Sequence, residues 1–344
     1  MSKTIFDLVT AKYLASYWTA MGNSDTNLTA ALFPTQKQLG LDLKWIKGSR
    51  GLPVVLKVSA FDAAAIPRPR IGFSEVKAQM PYNKESTYID EELRQQLNMV
   101  IMSGNQAIID SVMTRVFDDQ MRLLRGAAAR REQMRAMLLT TGAIAIASNG
   151  QEYEYDYQIT HKENAKTPWS DPDSNPIEDI RLAQEVIQGE TGEVLTRAMC
   201  DALSWRNLLK NERIRHTILA FTRATTSIIS ESDVRKFLLS EVGISVVVNY
   251  QRYKEENGTV MPYVPANTFS LFPSGSLGNT WFGTTPAESD LMNSNIANVA
   301  IVDTGVSITT SARIDPVQVE TIVAQICLPS LERADSIYIL NTGN

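Results

Sequence analysis

The sequence is poor in the residues that most enzyme chemistry requires. It has two histidines and two cysteines among 344 residues. His161 and His216 have no second metal-binding side chain at a usable spacing, and H-E-x-x-H is absent. There is no G-x-x-x-x-G-K-[ST] to cradle a phosphate and no G-x-S-x-G to present a nucleophile. Cys200 and Cys327 stand far apart, which excludes a disulfide framework and predicts two reduced, buried thiols in a chain made in the cytoplasm. No stretch approaches the roughly 18 apolar residues of a membrane span. The opening MSKTIFDLVTAKYLASYW lacks the apolar core and cleavage site of a signal peptide. A basic excess is missing too: 33 basic against 38 acidic residues leave a net charge of −5. Phosphate neutralisation is thus not the main task, although enclosing DNA is compatible with it. No cofactor or metal is expected.

One acidic segment imitates a metal loop. Asp171, Asp173 and Asn175 match the first three ligand positions of a calcium-binding EF-hand. The turn glycine is replaced by Pro176 and the bidentate glutamate by Leu182, so the site is rejected. The same residues read better as the start of a helix, with Asn175 as N-cap and Pro176 in its first position. Trp169, Trp205 and Trp281 are scattered and read as core or interface anchors.

What is present is apolar mass, 44% of the chain, enough for a real core and for two domains. Ile5, Leu8, Val9, Tyr13 and Tyr17 have the spacing of a short amphipathic helix in an N-terminal arm without a core of its own. Leu41, Leu43 and Trp45 alternate with Asp42 and Lys44 as in a strand, and Val54–Val58 is β-prone. Between them Lys47-Gly48-Ser49-Arg50-Gly51 reads as a turn, and Ile66-Pro67-Arg68-Pro69-Arg70 reads as extended chain. This stretch predicts a long two-stranded excursion that cannot stand alone.

Residues 89–140 carry an apolar stripe at helical spacing, with Gly104 and Gly126 as expected breaks. Arg115, Arg122, Arg125, Arg130, Arg131 and Arg135 are expected on a solvated face, offset by Asp118, Asp119 and Glu132. Strands are expected over 143–147 and through Tyr153, Tyr155, Tyr157 and Ile159. Helices are expected over 176–188, about 193–210 and from Ser230 to Gly243. The rest is mostly β: 244–253, a hairpin at Asn257-Gly258, then 269–272, 299–302, 306–313, 317–327 and 337–340. The class is α+β.

The order of these pieces resembles the lambda-type major capsid protein E family of tailed bacteriophages, from about residue 41 to 341. The resemblance is carried by several segments: Thr167–Ile180, Trp205–Arg215, Val248–Tyr253 with Asn257-Gly258 and Tyr263–Asn267, Gly283–Glu288, Asp315–Val319 and Leu328–Ile339. It implies the tailed-phage capsid fold, shared with the herpesvirus capsid floor. In that fold residues 1–40 form an N-terminal arm and 41–80 an extended hairpin loop. Residues 81–176 form a peripheral domain with a long spine helix, 177–300 an axial domain, and 301–344 strands that return to the peripheral domain. The implied protein is a non-enzymatic head protein that self-assembles into hexamers and pentamers of an icosahedral shell around double-stranded DNA, without sequence-specific binding. Its implied partners are copies of itself, a scaffolding protein, a portal and a decoration protein, with no membrane. Its place is the virion, after assembly in the host bacterial cytoplasm. No covalent weld between subunits is expected. Trp45, Lys47, Arg50, Arg68 and Arg70 are the expected subunit-interface residues, with the cations facing acidic patches on the next subunit. The alternative is an encapsulin-like compartment, which shares the fold, or another self-assembling phage structural protein; a DNA-processing enzyme is the remote one.

Overall fold

Alternating and fully apolar runs alike become strands in the computed structural model, which describes residues 9–22, 28–47, 74–102, 106–222, 229–294 and 296–343. The chain divides into two units. The first comprises Met1–Leu43, Lys77–Arg135 and Asn279–Ser330; the second comprises Lys44–Val76, Ala136–Gly278 and Leu331–Asn344.

The first unit is built on a six-stranded sheet. Its path runs Thr35–Lys37, Thr280–Phe282, Gln318–Pro329, Val306–Arg313, Asn298–Val302, and Tyr82–Ile89 also pairs with Gln318–Pro329. The two long strands pair antiparallel from Val306 opposite Gln325 to Arg313 opposite Gln318. The helix Ala11–Ala20 buries Ala11, Leu14 and Trp18, and Leu32 and Phe33 are fully buried further on. The N-terminal segment is therefore not unburied in a single subunit, as its polar stretches led us to expect. Its few apolar side chains sit on the first unit's own sheet, where the Ala11 N–H donates to Thr310 Oγ1 at 3.1 Å.

The helical stretch is divided, as the expected break requires, into two helices, Glu91–Met102 and Gln106–Thr141. Gly104 lies outside the described residues. Gly126 does not break the helix: the missing side chain costs about 1 kcal/mol, which the surrounding turns absorb.

The second unit holds a five-stranded mixed sheet in the order His161–Asn164, Tyr338–Asn341, Thr268–Pro273, Leu195–Asp201, Ser245–Asn249. Thr268–Pro273, between Tyr338–Asn341 and Leu195–Asp201, is buried at every position. Both its faces are covered, so no alternation marks it in the sequence. Trp169, Ile180, Ala183, Ile187, Trp205, Leu208, Phe269 and Leu271 share one core. Trp169 meets Phe269 at 4.9 Å and 59°, a tilted pair that contributes about 1 kcal/mol beyond its buried area.

The helix expected over 193–210 is corrected to a strand, Leu195–Asp201, followed by a helix, Ala202–Lys210. The boundary has a local cause. The Asp201 carboxylate accepts from the N–H groups of Leu203 and Ser204 at 2.7 and 3.2 Å, and such an N-cap stops helix propagation towards the N-terminus. Glu212–Thr222 is a further helix that sequence reading passed over. The helix Pro176–Thr191 starts as expected, but Asn175 donates to Glu178 at 2.9 Å and makes no side-chain cap. Glu231–Glu241 starts with a full capping box between Ser230 and Asp233. The Asn257-Gly258 turn joins Arg252–Lys254 to Val260–Pro262, while 268–273 pairs with 195–201 and 338–341.

Candidate functional site

The basic stretch of the long helix holds the first unexpected feature. Arg131 and Arg135 are 2% and 0% exposed, and Glu132 is buried beside them. This corrects the expected solvated face. The last turns of the helix are enclosed by sheet strands and by the N-terminal segment, so these side chains take protein groups as partners in place of water. Arg131 donates to Gln325 Oε1 at 3.0 Å and to Asp303 Oδ2 at 2.9 Å, and its guanidinium carbon lies 5.7 Å from the centre of the Phe282 ring. Arg135 Nε donates to Thr280 Oγ1 at 2.9 Å, and that hydroxyl donates to Phe33 O at 3.0 Å. Thr29 donates to Glu132, and Trp18 Nε1 donates to Asp303 Oδ1 at 3.0 Å. The network locks the N-terminal segment to the helix and the sheet of the first unit. Arg115, Arg122 and Arg125 are exposed as expected.

The expected interface residues divide sharply. Trp45 is 7% exposed and serves its own chain. Its ring stacks on Tyr157 at 5.5 Å and 26°, and its Nε1 donates to Leu331 O at 3.2 Å. Lys47 ends the strand Asp42–Lys47, which pairs with Ser74–Gln79. Arg50, Arg68 and Arg70 lie outside the described residues. Trp45 thus fixes the strand Asp42–Lys47, the base of this two-stranded sheet, to its own chain.

Beside that base stands a two-stranded sheet, Ala143–Ser148 with Gln151–Asp156. Ile144 and Ile146 pair with Tyr155 and Tyr153, and the isoleucines are 0% and 5% exposed. The two tyrosine rings lie parallel, 6.3 Å apart. Burial, then the neighbouring Tyr153, pushes the Tyr155 hydroxyl up to about 12. On the other face Glu152, Glu154 and Asp156 are exposed and stand opposite Ala147, Ala145 and Ala143. Among the described residues neither Glu152 nor Glu154 pairs with a cation. On the isoleucine side, Ser148 at the end of the strand donates to Glu256. Alternate residues of a strand are about 6.8 Å apart. At that spacing two charges in water repel by about 0.6 kcal/mol, so a free subunit tolerates the row.

The residues dismissed as catalytic have structural surroundings. His161 is buried, stacks on Tyr338 at 5.9 Å, and has Nε2 3.1 Å from Glu190. Cys200 and Cys327 are both buried, as expected, and burial raises the Cys200 thiol far above its usual range. Asp171 accepts from the Asp173 N–H at 2.9 Å in a turn leading into the 176–191 helix. Among the described residues no group of three His, Cys, Asp or Glu side chains is arranged to hold a metal ion. No described helix is long and apolar enough to cross a membrane.

Comparison with known proteins bears on the whole chain. No curated protein sequence matches it. In fold it is similar to a putative capsid protein of a prophage from E. coli CFT073, with a TM-score of 0.60, 16% identity, and coverage of 97% of this chain and 99% of that one. It is also similar to a phage-related protein from Bordetella bronchiseptica RB50, with a TM-score of 0.55, 16% identity, and 97% of each chain covered. The fold is that of tailed-phage capsid proteins. The sequence model of phage major capsid protein E matches residues 10–342, and so the chain belongs to the phage major capsid protein E family.

Proposed function

We propose that this protein builds the head shell of a tailed phage as hexamers and pentamers around packaged double-stranded DNA. A member of this family is a shell-forming structural protein of the virion. The observation that carries the finer reading is the family match over residues 10–342. The reading includes an arm over 1–40, a hairpin loop over 41–80, a peripheral domain over 81–176, an axial domain over 177–300, and returning strands over 301–344. The protein has no catalytic task. It assembles in the bacterial cytoplasm with a scaffolding protein, a portal and a decoration protein, and encloses DNA without reading its sequence.

The physical basis of this reading is the stretch 41–80, whose sequence holds strands and turns but little contiguous apolar mass. Lys47, Arg50, Arg68 and Arg70 belong to an excursion whose base is fixed by Trp45. Laid on a neighbour, it exchanges water for protein contacts, and a closed shell repeats that gain at every subunit. Electron microscopy of the purified, overexpressed protein tests the reading. Closed shells of uniform diameter are expected; a monomer at all concentrations in sedimentation refutes it.

A further inference from the structure

We propose that the side-chain amide of Asn149 is a modification site, lost as ammonia when the backbone nitrogen of Gly150 attacks it. The inference does not depend on the shell reading.

Two hairpins of the second unit turn on Asn-Gly. Asn149-Gly150 joins Ala143–Ser148 to Gln151–Asp156, and Asn257-Gly258 joins Arg252–Lys254 to Val260–Pro262. Glycine has no side chain to shield its nitrogen, so that nitrogen can close a five-membered ring on the Cγ of the preceding asparagine. Hydroxide first removes the glycine N–H proton. The nitrogen then bonds to Cγ, the Cγ–Nδ2 bond breaks, and ammonia leaves with a proton from water. Water opens the cyclic imide at either carbonyl. Opening at Cγ gives aspartate; opening at the main-chain carbonyl gives isoaspartate, whose backbone runs through Cγ. The sum is asparagine plus water to a carboxylic acid plus ammonia.

The structure separates the two turns, although both are exposed. At the second, the Gly258 N–H donates to Glu255 O at 2.9 Å, so the attacking nitrogen holds its proton. The Asn257 amide is held at both ends: Oδ1 accepts from the Thr259 N–H at 2.8 Å, and Nδ2 donates to Glu255 Oε2 at 3.4 Å. At the first turn, no hydrogen bond among the described residues engages the Gly150 N–H or the Asn149 amide. A Cβ built on Gly150 meets nothing within 4 Å, so water and hydroxide reach the nitrogen.

The position gives the reaction a consequence. Asn149 and Gly150 have φ of 49° and 70°, the left-handed pair of a two-residue turn closed by Ser148 opposite Gln151. Isoaspartate adds a backbone carbon inside a turn whose length sets the strand register. Either product places a new carboxylate next to Ser148, whose hydroxyl donates to Glu256 beside the other turn.

The test holds purified full-length protein in mildly alkaline buffer for days and maps its peptides by mass spectrometry. The peptide with Asn149 is expected to gain the mass of an NH2-to-OH exchange about tenfold faster than the peptide with Asn257, the factor that one hydrogen bond on the attacking N–H supplies. In concentrated urea both turns are unfolded, and the two rates are expected to converge. Asn149→Gly keeps a turn that Gly-Gly also forms and is expected to abolish the fast gain alone. No gain at Asn149 overturns the proposal, as does a gain at Asn257 that is equal or faster. A ratio that persists in urea assigns the difference to flanking residues and overturns it too, and so does a fast gain that survives Asn149→Gly.

Discussion

Arg131 reaches Asp303 at 2.9 Å with its own side chain 2% exposed and that of Asp303 25% exposed. The two are far apart in sequence, and Asp303 also accepts from Trp18, so one carboxylate joins three parts of the first unit. Asp303→Ala removes the carboxylate that faces this buried guanidinium. The expected loss is about 3 kcal/mol, read from the urea midpoint of unassembled subunits. Arg131→Met with Asp303→Ala is expected to cost less than the sum of the single changes, because no charge is then stranded. Additive costs refute the coupling.

Asp201 caps one helix and also accepts from the Thr268 N–H at 3.2 Å on the adjacent strand. Asp201→Ala leaves several donors buried and is expected to cost about 2 kcal/mol. Asp201→Asn keeps an acceptor and costs less than half as much. Thermal melting of the unassembled subunit orders the two variants; equal midpoints contradict the capping role.

Gly283 opens the loop that first carried part of the family resemblance. A Cβ built there lies 2.7 Å from the Gly40 carbonyl oxygen and 2.9 Å from Ile326 and Met80. The carbonyl is backbone and cannot swing aside as a side-chain tip does. Gly283→Ala is expected to lower stability by about 2 kcal/mol, measured by urea denaturation. An unchanged midpoint shows that the approach of the Gly40 carbonyl is looser than the structure gives.

Alkaline pH acts on the tyrosines. Tyr155 ionises near 12 in the folded chain, against about 10 when exposed. Burial also raises Tyr157 and Tyr338, and for Tyr338 the bond to Glu163 adds to the rise. A raised folded value means that the folded state holds its proton more tightly. The stabilisation is full below about pH 10 and is lost as pH rises towards 12. Tyrosinate absorbance is expected to lag behind that of a denatured sample, and Tyr155→Phe is expected to flatten the stability profile in that window. Coincident titrations of folded and denatured protein refute this.

The sequence by itself determined the elements whose cause is local. A helix starts near Ser230, Asn257-Gly258 turns a hairpin, and 306–313 alternates enough to be read as a strand. Order and local motifs also sufficed to point to the family. What only the tertiary structure decided depends on neighbours remote in sequence. Leu195–Asp201 has an apolar pattern that fits a helix, and it is a strand because 268–273 and 245–249 pair along its two edges. Arg131 and Arg135 read as solvated cations, since no local pattern announces Gln325, Asp303 or Thr280. Trp45 reads in the sequence as a subunit-interface residue, and the structure instead buries it against Tyr157 and Leu331 of its own chain. The division is physical: caps and turns are satisfied within a few residues, whereas burial and charge pairing are settled only by what the folded chain brings alongside.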